Sequence, residues 1–333
     1  MDTALFSYHL PSELIAQRPL KKRDHARLMI VHRDTGRLEH RYFYELPEIL
    51  KPTDVLVLND TKVFPARIMG ADERGRRAEV LLVQKMDAYR WRVMCKPGKR
   101  FKLGNIFFFG TKKSGRVESI QEDGLRIVRF NTKVPQRFGE MPLPPYIKEK
   151  NPRGRYQTVF AKHRGSIAAP TAGFHFTREL LKKLQDHGIA IEYVTLHVGR
   201  GTFIPITASD VEKHRLPAEQ FFLSKMVAKR LNAYKAAGRR IIAVGTTATR
   251  TLETLTDSAG FIKSGSGMTD LFIHQGMQFK CIEGLITNFH LPKTTLLVLV
   301  ATFATREKIL NAYTVAIKKK YRFYSFGDAM LVL

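Results

Sequence analysis

The stretch DVLVLND, residues 54–60, is a continuous apolar run that ends in two polar residues. Such a run is typical of a strand that is buried on both faces of a sheet. From residue 177 onward the chain alternates helix-like and strand-like segments, beginning with TRELLKKLQDHG and IAIEYVTLHVG. This alternation predicts an α/β domain, with residues 54–60 as one strand of its sheet.

Between about residues 66 and 140 the pattern is different. Short alternating segments, such as AEVLLVQKM (78–86) and RWRVMCKPG (90–98), are separated by glycine, aspartate and lysine turns, without helical periodicity. Strands at this spacing predict a small all-β barrel. We therefore predict a discontinuous α/β domain formed by residues 1–65 and 150–333, with a β-barrel domain inserted at residues 66–149.

The composition indicates a basic protein with a nucleic-acid partner. Lysine and arginine total 56 against 30 acidic residues, which gives a formal net charge of +26. An excess of this size attracts polyanions, because binding releases their counterions. A general basic bias of the source proteome is the alternative explanation.

The sequence also bears on membrane association, secretion and metal binding. The longest apolar stretch, TTLLVLVATFAT (294–305), is shorter than a membrane span. The N-terminus has no basic segment followed by an apolar one, so we expect no secretory signal. Cys95 and Cys281 lie far apart without paired spacing. We therefore expect a cytoplasmic protein without a metal site or membrane association.

Common nucleotide- and metal-binding motifs are absent from the sequence. There is no G-x-x-x-x-G-K-[ST] loop, no G-x-G-x-x-G after a strand, no three-cysteine cluster and no H-E-x-x-H helix. Any chemistry must then come from side chains and backbone donors.

Several predicted strand ends carry small residues together with a histidine, an arginine, an asparagine or a carboxylate. These segments are APTAGFHFT (169–177), LHVGRGTF (196–203), VGTTATRTLE (244–253), ITNFHLPKTTLL (286–297) and YRFYSFGDAMLVL (321–333). Strand ends of an α/β sheet collect at one edge, where ligands bind. Thr177 is predicted to cap a helix, and a second helix is predicted to begin near Thr247–Thr249, with Arg250 in its first turn beside an anionic partner. Structural histidines and simple helix caps are the alternative explanation.

The chain closely resembles the S-adenosylmethionine:tRNA ribosyltransferase-isomerases of queuosine biosynthesis. The resemblance runs through the whole chain in the segments LVLNDTKVFPARIMG, MPLPPYIK, RYQTVFAKHRGSIAAPTAGFHFT, LHVGRGTFIPI, GTTATRTLE, GLITNFHLPKTTLLVLVATFA and YRFYSFGDAML. It implies a barrel-like α/β domain with an inserted β-barrel.

The resemblance also implies a reaction. S-adenosylmethionine is the ribosyl donor and the co-substrate, and no cofactor is expected. The ribosyl group is transferred to 7-aminomethyl-7-deazaguanine at the wobble position of tRNA and rearranged, giving epoxyqueuosine with release of adenine and methionine.

This chemistry needs proton transfers, and histidines near their ordinary pKa of about 6.5 can perform them. We expect His175 and His197, and also His290, to transfer protons, and Asp60 and Asp328 to contact the ribose hydroxyls or the amine. The residues expected to bind substrate are Thr171, Gly173, Gly199, Gly201, Thr202, Gly245, Thr246, Thr247, Arg250 and Asn288, with Arg250 on the methionine carboxylate. The residues expected to bind tRNA are Arg67, Tyr146, Arg155, Tyr156 and Gln157.

Two positions depart from the family's usual pattern. The segment HRLPAE (214–219) has Pro217 where a second histidine usually stands, and Gln275 replaces a proline. Another S-adenosylmethionine-dependent RNA-modifying enzyme, such as a methyltransferase, and a non-catalytic RNA-binding protein are the alternative functions. We expect a monomer, because no coiled coil or long exposed apolar edge is evident.

Overall fold

The computed structural model describes residues 1–144, 146–147, 156–199, 201, 206 and 210–333. By its internal contacts the chain forms two compact units. The first, the α/β unit, comprises Met1–Lys62, Pro145–His163 and Ala169–Leu333, and the second, the barrel unit, comprises Val63–Pro144 and Arg164–Ala168. The domain limits inferred from sequence, 66 and 149, stay a prediction.

The secondary structure alternates as the sequence patterns indicate. The strands are β1 (Arg27–Val31), β2 (Leu38–Tyr42), β3 (Val55–Asn59), β4 (Thr61–Val63), β5 (Arg67–Asp72), β6 (Arg77–Lys85), β7 (Arg90–Lys96), β8 (Ile106–Phe109), β9 (Lys113–Ile120), β10 (Arg126–Phe130), β11 (Gly139–Glu140), β12 (His163–Ser166), β13 (Ala190–Leu196), β14 (Glu219–Leu223), β15 (Ile241–Val244), β16 (Gly265–Thr269), β17 (Gly284–Asn288) and β18 (Ala329–Val332). The α-helices are α1 (Leu46–Ile49), α2 (Arg178–Asp186), α3 (Lys225–Ala236), α4 (Thr246–Leu255), α5 (Thr295–Ala304) and α6 (Arg306–Lys318).

The α/β unit is built on a mixed sheet of nine strands in the order β16-β14-β13-β3-β15-β17-β18-β1-β2. Strand β3 lies in the interior of the sheet between two parallel neighbours, β13 and β15, and all five of its residues are buried. Alternate side chains of β3 enter different cores: Val55 and Val57 pack with one hydrophobic cluster, and Leu56 and Leu58 with the other. The prediction of a strand buried on both faces is confirmed.

The barrel unit is a closed antiparallel barrel. Its strands follow the order β5-β6-β7-β10-β9-β8, and β8 also pairs with the end of β5, which closes the sheet. Strand β11 pairs with Arg67 and Ile68 at the start of β5. A Cβ atom at Gly70 would lie only 2.1 Å from the carbonyl oxygen of Phe108, so glycine is required where β5 and β8 meet. The predicted fold class, an α/β protein with a small all-β barrel, is confirmed.

The parallel strands place the sequence motifs at one edge of the large sheet. Strands β3, β13, β15 and β17 run in the same direction, so their carboxyl ends lie together. Strand β18 is antiparallel to β17, with its first residue, Ala329, opposite Asn288. Asp328, which precedes Ala329, therefore lies at this edge as well. We call this edge, with the loops that leave it, the carboxyl edge. Within the described part of the chain, no helix is long and apolar enough to cross a membrane.

Candidate active site

Asn59, the last residue of β3, joins three elements at the carboxyl edge. Its side-chain amide donates to the carbonyl oxygen of Leu196 and to the hydroxyl of Thr247, both at 3.0 Å, and its side-chain oxygen accepts from the Leu196 amide at 3.0 Å. Asn59 was not singled out from sequence, although its place at the end of an apolar strand was a usable signal. Its contacts fix the positions of the neighbouring Asp60 and of the start of α4.

Asp60 and His197 belong to one polar cluster. The Thr195 hydroxyl donates to Asp60 at 2.6 Å, and the imidazole Nε2 of His163 lies 3.5 Å from the same carboxylate. His197 Nδ1 shares a 2.8 Å hydrogen bond with the hydroxyl of Thr61. His163 was missed from sequence, because it follows no predicted apolar strand.

The electrostatics of this cluster suit proton transfer. Burial raises the pKa of Asp60, and the Thr195 hydrogen bond and the nearby His163 oppose that rise only in part. Burial lowers the pKa of His197, and the charge of His163 lowers it further. The raised pKa of Asp60 and the lowered pKa of His197 bring the proton affinities of the two groups closer together, which favours proton transfer within the cluster.

His175 is held in one tautomer at a second part of the carboxyl edge. It ends a short 3₁₀ turn, Thr171–His175, and Thr177 then caps α2 as predicted. The Asn288 amide donates to the Tyr324 carbonyl at 3.1 Å, which fixes the orientation of the amide, and it also donates to His175 Nε2 at 3.2 Å. Because Nε2 therefore accepts, the neutral ring carries its hydrogen on Nδ1.

His175 does not keep its ordinary pKa. Burial, reinforced by the positive charges of Arg322 and Arg23, lowers the pKa of His175 to about 3. The expectation of an imidazole that titrates near pH 6.5 is therefore wrong for this residue: the ring is neutral at pH 7. His175 can still donate a hydrogen bond from Nδ1.

An aromatic wall surrounds the 3₁₀ turn. Phe174 stacks on Phe326 with ring centres 5.8 Å apart, and Tyr156 meets Phe174 edge-on at 5.5 Å. Tyr156 is only 2% exposed, so it lies inside this wall and not on a surface open to tRNA, which corrects the role predicted for it. Glycine is needed at position 173, because a Cβ atom there would lie 2.7 Å from the Phe160 ring.

The side chains of His290 and Asp328 make hydrogen bonds to other groups of the protein. His290 Nε2 bonds the Thr287 hydroxyl at 2.8 Å, and burial lowers the pKa of His290 to about 3, so it also departs from the expected value. Asp328 accepts from the backbone amides of Arg27 at 3.0 Å and Arg322 at 2.8 Å, and pairs with the Arg27 guanidinium. These contacts give both residues a structural role, and their roles in catalysis stay predictions.

Helix α4 begins one residue earlier than its predicted start, at Thr246, so Arg250 lies in the second turn and not the first. Gly245 precedes it with φ +86°, a conformation that favours glycine. The anionic partner of Arg250 is Glu219, to which its Nη1 donates, while its Nε donates to the Leu271 carbonyl at 2.8 Å. Its contact with a methionine carboxylate stays a prediction.

The remaining predicted residues are dispersed. In the barrel unit, Arg67 pairs with Glu79 at 2.8 Å, which raises the pKa of Arg67. In the α/β unit, Tyr146 bonds the Ser325 hydroxyl, and the Gln157 carbonyl accepts from Arg23 at 2.6 Å. Thr202 and Arg155 lie outside the described residues.

No group of three or more histidine, cysteine, aspartate or glutamate side chains could hold a metal ion in the part of the chain that the structure describes. Both cysteines are buried, and burial raises the pKa of each thiol to about 12, so neither is a nucleophile at neutral pH.

Comparison with known proteins shows the family of this chain. A family model described as queuosine biosynthesis protein matches residues 3–332. The chain belongs to this family. Among relatives in the queuosine family, the S-adenosylmethionine:tRNA ribosyltransferase-isomerases of Halothermothrix orenii and Desulforamulus reducens are 51% and 50% identical, over the full length of both chains. The crystal structure of an S-adenosylmethionine tRNA ribosyltransferase from Thermotoga maritima is similar, with 37% identity, a TM-score of 0.58, and coverage of 99% of this chain and 100% of that one.

Proposed function

We propose that this chain transfers the ribosyl moiety of S-adenosylmethionine to 7-aminomethyl-7-deazaguanine in the anticodon of tRNA and isomerises it, giving epoxyqueuosine, adenine and methionine. The observation that carries the proposal is identity of about 50%, over the whole of both chains, to relatives that bear the name of this activity. The polar clusters at the carboxyl edge supply groups that the chemistry requires.

The Asp60–His197 cluster is the proposed centre of proton transfer. The C5′ hydrogen beside the sulfonium is weakly acidic, and a base that is close and neutral can remove it. His197 is partly exposed, bonded to Thr61, and its lowered pKa keeps it neutral at pH 7. Asp60 can then receive or return protons as the amine attacks.

His175 is proposed to act as a hydrogen-bond donor. Its Nε2 is engaged by Asn288, so its Nδ1–H is the group available for a substrate. A donor held in a buried site stabilises negative charge that develops on a leaving purine nitrogen. Phe174 and Phe326 exclude water near this turn, which strengthens such a hydrogen bond.

The barrel unit supports tRNA as the partner. Its residues include 19 lysines and arginines against 8 acidic residues, a net charge of +11 within the two segments Val63–Pro144 and Arg164–Ala168. A polyanion is attracted to such a unit whatever its sequence. We propose that the enzyme works without a cofactor, as a monomer, in the cytoplasm where tRNA is modified.

Incubation with S-adenosylmethionine and substrate tRNA, followed by mass spectrometry of the wobble nucleoside, tests the proposal. The expected products are free adenine and a wobble nucleoside that carries the rearranged ribosyl group. A methylated nucleoside would instead favour a methyltransferase, and tRNA binding without any product would favour a non-catalytic RNA-binding protein.

A further inference from the structure

Two exposed tyrosine side chains stack on each other beside β2, the last strand in the order of the large sheet. Tyr42 ends β2, and Tyr44 follows it in the 3₁₀ turn Phe43–Glu45. The two rings are nearly parallel, at 6°, with centres 5.4 Å apart, and the residues are 46% and 43% exposed. No other two exposed phenylalanines or tyrosines stack in this way among the residues that the structure describes. A stack of rings that faces solvent offers a surface to a further planar group.

A third ring, that of His25, packs against the same pair. Its centre lies 5.1 Å from that of Tyr44. Tyr44 therefore contacts two rings, whereas Tyr42 contacts one in the described part of the chain. Tyr42 is thus the terminal ring of the three, and its outward face is the one that a further planar group can reach. We call His25, Tyr44 and Tyr42 the aromatic platform.

Hydrogen bonds hold the backbone of the platform at Tyr42. The Tyr42 amide donates to the Glu45 carboxylate at 2.5 Å, and the amide of the next residue, Phe43, donates to the Ala26 carbonyl at 2.8 Å. Glu45 also pairs with Arg41 at 3.2 Å, so its negative charge is balanced. A ligand that stacks on Tyr42 therefore meets a side chain whose backbone is already ordered, which reduces the entropy lost on binding.

The platform lies next to the 3₁₀ turn that carries His175. The residue between the two tyrosines, Phe43, is fully buried, and its ring centre is 5.0 Å from that of His175. Arg23, which shares a short turn with His25, lies over the Phe174 ring with its guanidinium carbon 5.7 Å from the ring centre. A nucleic acid that places one base at His175 therefore has neighbouring bases within reach of the platform.

Basic side chains lie beside the platform on two chain segments. Residues 18–27 and 318–322 carry five and four lysines and arginines, against one acidic residue, Asp24. Arg27 joins the segments, because it pairs with Tyr42 across β1 and β2 and its guanidinium donates to the Lys319 carbonyl at 2.9 Å. The exposed lysines of the two segments are Lys21, Lys22, Lys318, Lys319 and Lys320. Aromatic rings among exposed positive charges are suited to single-stranded nucleic acid, through base stacking and phosphate contact.

We propose that Tyr42 stacks against an unpaired base of the tRNA anticodon loop, close to the wobble nucleotide, and that the neighbouring lysines contact the phosphates. The proposal rests on the proposed function and deepens it, because it assigns a base-binding surface to the α/β unit. Bases of a single-stranded loop can leave their own stack and lie on an aromatic side chain, whereas those of a duplex stem present their edges. Tyr42 takes the stacking role that burial excludes for Tyr156.

Equilibrium dissociation constants for an anticodon stem-loop RNA test the proposal. Tyr42→Ala should weaken binding about 10–100-fold, the usual effect of removing one ring on which a base stacks. Tyr42→Phe keeps the ring and should bind within about twofold of wild type. Tyr42→Leu keeps an apolar side chain without a flat face, so it should resemble Tyr42→Ala.

Phe261→Ala is the matched control for the loss of an exposed ring. Phe261 is 56% exposed and precedes β16, which lies at the other end of the strand order from β2. Its replacement should leave the affinity for RNA unchanged. The affinity for S-adenosylmethionine should be unchanged in every variant, because Tyr42 and Phe261 are both exposed and their replacement leaves the folded core intact.

Stem-loop RNAs that each lack one unpaired base identify the partner of Tyr42. One of these abasic RNAs should bind the wild-type chain about 10–100-fold more weakly than the complete stem-loop. Tyr42→Ala should bind that RNA and the complete stem-loop within about twofold of each other, because the ring that the base contacts is already absent.

Two results would overturn the assignment. One is equal affinity of wild type and Tyr42→Ala for the complete stem-loop. The other is a loss of affinity in Tyr42→Ala that persists with every abasic RNA, since the ring would then contact no base. Failure of the wild-type chain to bind the stem-loop, or to release adenine from S-adenosylmethionine in its presence, would be a different result, because it would contradict the proposed function itself.

Discussion

Replacing His175 should alter how the stability of the protein depends on pH. In the unfolded chain an imidazole takes up a proton as the pH falls through about 6.5. In the folded protein the pKa of His175 is lowered to about 3, so the buried ring stays neutral in that interval. Because the unfolded state binds this proton more readily, the free energy of unfolding falls as the pH drops from about 6.5 towards 3.

The size of the effect follows from the pKa difference. About pH 4.5 is two units below the ordinary pKa of histidine. Because His175 stays neutral in the folded protein there, the free energy of unfolding should be lower by about 3 kcal/mol than at neutral pH. That is a large part of the 5–15 kcal/mol by which a domain is usually stable. His175→Gln removes the titrating group, so this part of the loss should disappear, while the contribution of His290 remains in both proteins.

Urea unfolding at about pH 7 and pH 4.5 measures the effect directly. The difference in unfolding free energy between wild type and His175→Gln should shift by about 3 kcal/mol in favour of the variant at the lower pH. His9→Gln is the control, because His9 is exposed and the same change there should produce no such shift. An identical loss of stability in wild type and His175→Gln would refute the reasoning, since it would mean that His175 accepts a proton in the folded protein near its ordinary pKa.

Three other changes test separate parts of the structure. Gly173→Ala should destabilise the protein by about 1–3 kcal/mol in thermal unfolding, because the new Cβ atom would lie 2.7 Å from the Phe160 ring. Gly265→Ala is the control and should cost much less, because a Cβ atom there has nothing within 4 Å. Equal losses of stability in the two variants would contradict the packing argument. Asp60→Asn should lower kcat/KM by about 10²–10⁴-fold. The pKa of Asp60 is raised, so its base form is lost as the pH falls, and the variant should therefore lose the acidic limb of the pH–rate profile. A retained acidic limb would exclude Asp60 as its source. Arg67→Gln should weaken tRNA binding and reduce the slope of log affinity against log salt by about 1, and an unchanged slope would remove Arg67 from the tRNA contact.

The fold could be predicted from the sequence to a large extent, because its patterns are local. The apolar run of β3 and the alternating segments of β6 and β7 each report burial of their own strand, and the observed sheets contain them as expected. The sequence could not show that β8 closes the barrel by pairing with β5, since that pairing joins strands that lie far apart in the chain.

The site could be predicted only in part, because its chemistry depends on burial and on partners. The strand-end motifs do meet at one edge, but His163, which lies beside Asp60, has no distinctive sequence pattern. The position of Asn59 at the end of an apolar strand is visible in the sequence, whereas its contact with Thr247 is not. The lowered pKa of His175 follows from burial and from the nearby charges of Arg322 and Arg23, and the sequence shows neither the burial nor the proximity. Tyr156 looked like a stacking residue for the same reason: its type is visible in the sequence, whereas its burial is not.

The central claim is that S-adenosylmethionine donates its ribosyl group and not its methyl group. Two preparations of S-adenosylmethionine, one labelled in the ribose carbons and one in the methyl group, can be incubated in parallel with this protein and substrate tRNA. The account predicts that the ribose label enters tRNA, with one adenine released per labelled nucleoside, while the methyl label leaves in methionine. Methyl label in tRNA, or ribose label that stays with adenosine, would contradict it.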